Sequence, residues 1–127
     1  MGLRDWFSRR TPRSVGRADP SDIDHLLDWN STRVGVEAFL EPETLVNVPS
    51  LCLVAFDGEW TRRPVGSVRV AISLAKKMDI PIYDVMETKY PQRMRDFEEG
   101  RRAVERRERR DRLREEVRRL DETRGAE

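Results

Sequence analysis

The chain of 127 residues holds one cysteine and one histidine. A single thiol excludes an intramolecular disulfide and any C-x-x-C redox or zinc pair, and it fits a reducing compartment. His25, alone and off the apolar stripe of its segment, has no partners with which to ligate a metal, and is expected to be solvated. No apolar run approaches the roughly 18 residues that span a bilayer. Arg4, Asp5, Arg9 and Arg10 interrupt the apolar core that a secretory signal requires. Position 6 is Trp, so the Gly2 myristoylation pattern fails. These absences point to the cytoplasm. Neither G-x-G-x-x-G nor G-K-[ST] occurs, which leaves Gly66-Ser67 without a specific phosphate motif. The residues call for no metal and no cofactor.

Charge is abundant and apolar residues are few, at 39% and 37% of the chain. That balance suggests a small core with segments that bury little. Residues 1–17 carry five Arg against one Asp, residues 18–100 nine basic against fifteen acidic groups, and residues 101–127 eleven Arg against eight acids. The body is therefore acidic and both ends are basic. Such ends suit an acidic protein, a nucleic-acid or ribosomal surface, or anionic lipid, while the body disfavours wrapping either of the last two.

The middle of the chain carries the architecture. Leu51 to Phe56 has the length of a buried strand, apolar on both faces and so expected to be central. Cys52 inside it reads as a small apolar residue, with no adjacent cation to activate a thiolate. Asp57-Gly58 predicts a type I′ hairpin turn, and Glu59 to Arg63 the returning strand. Ser67 is a helix cap, Val68 to Met78 a helix burying Val68, Ala71, Ile72, Ala75 and Met78, and Pro81 to Val85 a further strand. If the flanking strands are parallel neighbours, the connection crosses over right-handed.

Upstream, Ser21 is the candidate cap of a helix over about 22–32, with Ile23, Leu26 and Leu27 facing the core. Val36 to Leu40 reads as a strand stopped by Pro42, and Thr44 to Val48 as another short one. In residues 1–10, Leu3, Trp6 and Phe7 share one side of a helical turn that could dip into a lipid interface or dock on the domain.

Candidate contact residues are few. Trp6 and Phe7 lead the basic arm. Trp60 and Arg62 share a strand face, where an exposed Trp beside Arg could stack a base or anchor an interface, the alternative being a Trp packed beneath the helix. Tyr83 and Asp84 end a strand, where binding groups often sit in open α/β sheets. Tyr90, Arg93 and Arg95 form the most polar cluster, suited to a carboxylate or phosphate, or to ion pairs with Asp84 and Asp96.

Pro91 opens a long helix. Beyond Phe97, Glu98–Arg102, Glu105–Arg109, Glu108–Arg112 and Glu115–Arg119 are acid-before-base pairs at i, i+4, each adding about 0.2–0.5 kcal/mol to a solvated helix. Long aliphatics are limited to Val104, Leu113, Val117 and Leu120, so a sustained coiled coil is disfavoured. The last turns could still seat on a partner.

The segments Val36-Glu-Ala-Phe-Leu-Glu-Pro42, Asp57-Gly-Glu-Trp-Thr-Arg-Arg63 and Tyr90-Pro-Gln-Arg-Met-Arg-Asp96 resemble a family of small uncharacterised actinobacterial proteins, some of which are labelled oxidoreductases. The resemblance spans about residues 20 to 97. It implies a cytosolic bacterial protein and identifies no catalytic residue, and the residues themselves give the oxidoreductase label no redox pair, dinucleotide fingerprint or ligand cluster.

The chain thus reads as a basic N-terminal arm and linker over 1–17, a small α/β (α+β) domain over 18–97 and a charged helical tail over 98–127. The domain holds a mixed sheet of three to five strands and two packed helices. The expected function is a non-enzymatic interaction or adaptor protein. Its arm and tail would contact a macromolecule, foremost a protein, with nucleic acid, the ribosome or the inner membrane face (through residues 1–10) as other surfaces. The competing expectation is a small enzyme or ligand-binding domain, oxidoreductase-like, with its site near Tyr83/Asp84 and Tyr90/Arg93/Arg95.

Overall fold

The computed structural model describes residues 18–125; Trp6 and Phe7 lie outside them. In chain order the elements are α1 (Pro20–Ser31), β1 (Glu37–Glu41), β2 (Ser50–Val54), β3 (Trp60–Pro64), α2 (Val68–Met78), β4 (Ile82–Asp84), α3 (Val85–Thr88) and α4 (Gln92–Gly125). The strands form one mixed sheet in the order β3-β2-β1-β4, antiparallel except for the parallel pair β1–β4. The fold is α+β, with a long C-terminal helix.

Alternation along the strands divides the core in two. Ala38, Leu51, Leu53 and Ala55 point to one face, where α1 and α2 cover them with Leu26, Trp29, Ala71 and Leu74. Phe39, Cys52 and Val54 point to the other, covered by Val85 and by Met94 of the first turn of α4. The central strand is apolar on both sides because both sides are covered, as its sequence requires.

Several local expectations change. The cap of α1 is Asp19, which accepts from the Ser21 amide while Asp22 accepts from the Asp19 amide in a reciprocal capping box. Pro20 takes the first helical position, where its missing N–H costs nothing. The 56–58 turn is not type I′: only Gly58 has positive φ (96°), the Gly58 amide donates to the Ala55 carbonyl (3.0 Å), and Ala55 pairs with Glu59 across a three-residue loop. Thr44 to Val48 form no strand; the Thr44 hydroxyl accepts the amides of Val46 and Asn47 in an exposed loop.

In α2 the buried stripe is Ala71, Leu74 and Ala75, while Val68 and Ile72 are exposed. The helix runs from β3 to β4, strands that are not neighbours, so it crosses β2 and β1 rather than joining an adjacent parallel pair. That path rotates the face it presents.

Helix α4 is continuous for 34 residues, about 50 Å at 1.5 Å per residue. Beyond Ala103 every described residue is exposed. The ion pairs along it are not the expected ones. Arg101 bridges Glu98 and Glu105, Arg118 bridges Glu115 and Glu122, and Arg119 meets Glu116. Spacing of three closes the acid-before-base pairs, and the guanidinium then reaches forward to a second acid.

Candidate functional site

The second sheet face carries Trp60, Arg62 and the residues that gather around them. The register aligns Tyr83, Phe39, Cys52 and Arg62 in one row across the four strands. Glu41 follows two residues after Phe39, and Trp60 precedes Arg62 by two, so both share this face. The expected pairing of Trp60 with Arg62 is present, the guanidinium lying 5.1 Å from the ring centroid. Trp60 packs beneath α4, not beneath α2, and its Nε1 donates to Glu98 (3.0 Å).

Arg62 is the centre of a compact network. Its Nε donates to both carboxylate oxygens of Glu41, at 2.7 and 2.9 Å, and its Nη2 to the Tyr90 hydroxyl at 3.4 Å. The Tyr90 hydroxyl donates in turn to Glu41. Burial works against the guanidinium charge, but Glu41 outweighs it and pushes the Arg62 pKa up. Burial and the Glu41 carboxylate both raise that of Tyr90. The tertiary fold brings these three residues together from β1, β3 and the α3–α4 junction.

Arg93 is not part of this group, a correction to the expected Tyr90/Arg93/Arg95 cluster. Successive residues of a helix diverge by about 100°, and Arg93 swings to the hairpin end of the sheet. There its Nε donates to the Ala55 carbonyl (2.9 Å) and its Nη2 to Glu37 (2.7 Å). Glu37, rather than Asp84 or Asp96, is its ion partner. Tyr83 reaches Glu37 from the other side at 3.4 Å, and Asp84 caps α3 through the Met86 amide at 2.9 Å. Tyr83 and Asp84 are thus engaged in structural contacts. Gly58 makes the Arg93 clamp possible: a Cβ there would stand 2.0 Å from the Arg93 carbonyl oxygen.

Arg95 stays beside Tyr90, donating to its carbonyl (3.0 Å) and to Gln92 Oε1 (2.6 Å). Arg62, Tyr90 and Arg95 line a cleft of about 700 Å³ with Glu41, the 42–50 loop, Met86 and Lys89. Glu41 and Lys89 were not legible as site residues. Lys89 has φ 61° and ψ 174°, a region other residues leave to glycine.

His25 is not solvated. It is half-buried against β3, its Nε2 2.7 Å from the Thr61 hydroxyl. Burial, then the nearby Arg63 charge, lowers its pKa to about 4. Arg63 itself reaches the fully buried Asp22 at 3.4 Å, which ties the α1 cap to the sheet. Cys52 is buried between the sheet and α4, and burial pushes its pKa up to about 12. Such a thiol is no nucleophile at neutral pH. Among the described residues no group of three or more His, Cys, Asp or Glu could hold a metal ion, and no helix is long and apolar enough to cross a membrane.

Compared with protein-family models, with curated proteins and with solved structures, the chain matches none.

Proposed function

We propose that the chain is a non-enzymatic interaction protein in which the α+β unit is the platform and the projecting part of α4 the contact element for an acidic protein surface. The observation that carries this reading is the free length of α4. The helix leaves the sheet after its first turns and continues exposed on all sides to Gly125. Its charge is unevenly used: Arg106, Arg107, Arg109, Arg112 and Arg114 make no ion pair with a described residue, whereas Arg101, Arg118 and Arg119 do.

At 100° per residue, Arg102, Arg106, Arg109, Arg110 and Arg114 share one side of the helix, and Glu105, Glu108 and Asp111 lie largely on the other. Leu113, Val117 and Leu120 continue the basic side toward the tip, and are 64%, 48% and 55% exposed. A basic stripe running into an apolar one suits an acidic protein groove with an apolar end. Nucleic acid has no counterpart for the apolar half, and the acids on the reverse side weaken phosphate binding. The acidic body and the resemblance to small actinobacterial proteins accord with action in a bacterial cytoplasm.

The test is capture of a discrete protein partner from nuclease-treated lysate by the full-length chain. It is compared with Leu113→Ala/Val117→Ala/Leu120→Ala and with Arg106→Gln/Arg110→Gln/Arg114→Gln. Both sets keep good helix formers, so helicity by circular dichroism should be unchanged while capture is lost. Undiminished capture by both variants, or capture abolished by nuclease alone, would remove α4 as the contact element.

A further inference from the structure

We propose that the cleft between the 42–50 loop and the α3–α4 junction binds a small organic anion, a carboxylate or phosphate carried on an apolar body. The volume of about 700 Å³ lies within the range of small-molecule sites. Its charge is opposite to that of its surroundings. Residues 18–100 hold nine basic and fifteen acidic groups, yet the lining contributes Arg62, Lys89 and Arg95 against the single carboxylate of Glu41.

Glu41 is consumed by Arg62 and Tyr90. Among the described residues Arg95 and Lys89 donate to neutral acceptors only: Gln92 and the Tyr90 carbonyl for the first, the Met86 carbonyl for the second. These two cations of one cleft therefore have no ion pair with a described residue, while the third, Arg62, is held by Glu41, whose two carboxylate oxygens both accept from its Nε. An anion would add ion-pair attraction to donors that now meet only neutral oxygens, and a guanidinium such as that of Arg95 can hold a carboxylate or phosphate through two parallel bonds.

The apolar part of the ligand is indicated by Met86, 62% exposed at the cleft edge, with Val85 and the Tyr90 ring behind it. The backbone supplies an independent indication. Lys89 is held at φ 61° and ψ 174°, where glycine would sit without strain, and strained residues of this kind concentrate at ligand clamps. A lysine at that position costs stability and brings an ammonium group, donating to the Met86 carbonyl, into the cleft lining.

The experiment is a titration of the ¹⁵N-labelled full-length protein with phenyl phosphate and with benzoate, phenol serving as the uncharged control. Saturable shifts are expected at the amides of Ser50 and Met86 to Tyr90 and at the Arg62 and Arg95 Nε–H signals, with phenol producing none. The tighter of the two anions identifies the headgroup. Lys89→Gly and Arg95→Gln should each weaken binding about tenfold, the loss of one charge-assisted contact. Lys89→Gly should at the same time raise the urea midpoint, which separates lost binding from lost folding. Absence of saturable shifts at millimolar concentrations, equal response to phenol, or full affinity in both variants would overturn the proposal. The Leu113/Val117/Leu120 alanine variant should bind both anions as the parent does, so the cleft and the α4 contact fail independently.

Discussion

Replacing Gly58 by Ala tests whether the base of α4 is locked to the hairpin by backbone contact. The added Cβ would meet the Arg93 carbonyl oxygen at 2.0 Å, its carbon at 2.8 Å and the Phe97 Cβ at 2.9 Å. None of these is the free end of a flexible side chain, so the first turns of α4 must lift from the sheet. Holding alanine at φ 96° adds about 1–2 kcal/mol of backbone strain. Lifting α4 loosens Met94 from the second core, weakens the Arg93 clamp on Ala55 and Glu37, and opens the Trp60–Glu98 bond. Partial loss of one buried side chain and one or two hydrogen bonds is worth about 2–3 kcal/mol. The expected destabilisation is therefore about 3–5 kcal/mol, at the severe end for one methyl group.

The assay is urea unfolding followed by tryptophan fluorescence, with Gly100→Ala as the reference. A Cβ on Gly100 meets nothing within 4 Å, so that change should be neutral or raise α4 helicity by the usual alanine preference of about 1 kcal/mol. A Gly58→Ala protein within 1 kcal/mol of the parent (about the ordinary scatter of point mutants) would refute the close approach of α4 to the hairpin.

Two further outcomes follow from buried titratable groups. The His25 pKa is lowered in the folded state to about 4, so the neutral ring is the form the fold favours. Its stabilisation is complete above the unfolded pKa of about 6.5 and is lost as pH falls from there toward the folded value. Stability should thus decline between these limits with a slope of up to one proton. His25→Gln, which keeps a partner for Thr61, should lose that component while retaining the carboxylate contribution at lower pH; equal pH profiles for parent and variant would exclude it. For Cys52, a pKa raised from 9.0 to about 12 cuts the thiolate fraction at neutral pH about a thousandfold. Iodoacetamide should modify it only on unfolding, and rapid labelling of the native protein would contradict its burial.

Elements declared by local pattern were legible. The apolar run from Leu51 gave a covered strand as far as Val54, although its last residue, Phe56, lies in the turn and is exposed; Pro42 ended β1, and Ser67 capped α2 because its hydroxyl can reach the Val70 amide. Where two nearby residues competed for one role, chain pattern was insufficient: Asp19 displaced Ser21 as the α1 cap because Asp22 could return the bond. In the α2 stripe Ala71, Ala75 and Met78 face the core as expected, but Leu74 is buried and Val68 and Ile72 are exposed, because the rotation of the helix answers to the sheet beneath it. Trp60 and Arg62 were legible as a face, since alternation is a local property.

The sequence by itself determined a charged, disulfide-free α+β chain with a two-faced central strand and a long solvated helix, because periodicity and charge spacing act over a few residues. Only the tertiary structure decided that β4 pairs with β1, that Glu41, Arg62 and Tyr90 meet, that Arg93 leaves Arg95 for Glu37, and that Lys89 opens onto a cleft. Those contacts join residues 21 to 56 positions apart, and such distances are closed by strand order and helix rotation, which no short stretch of chain contains.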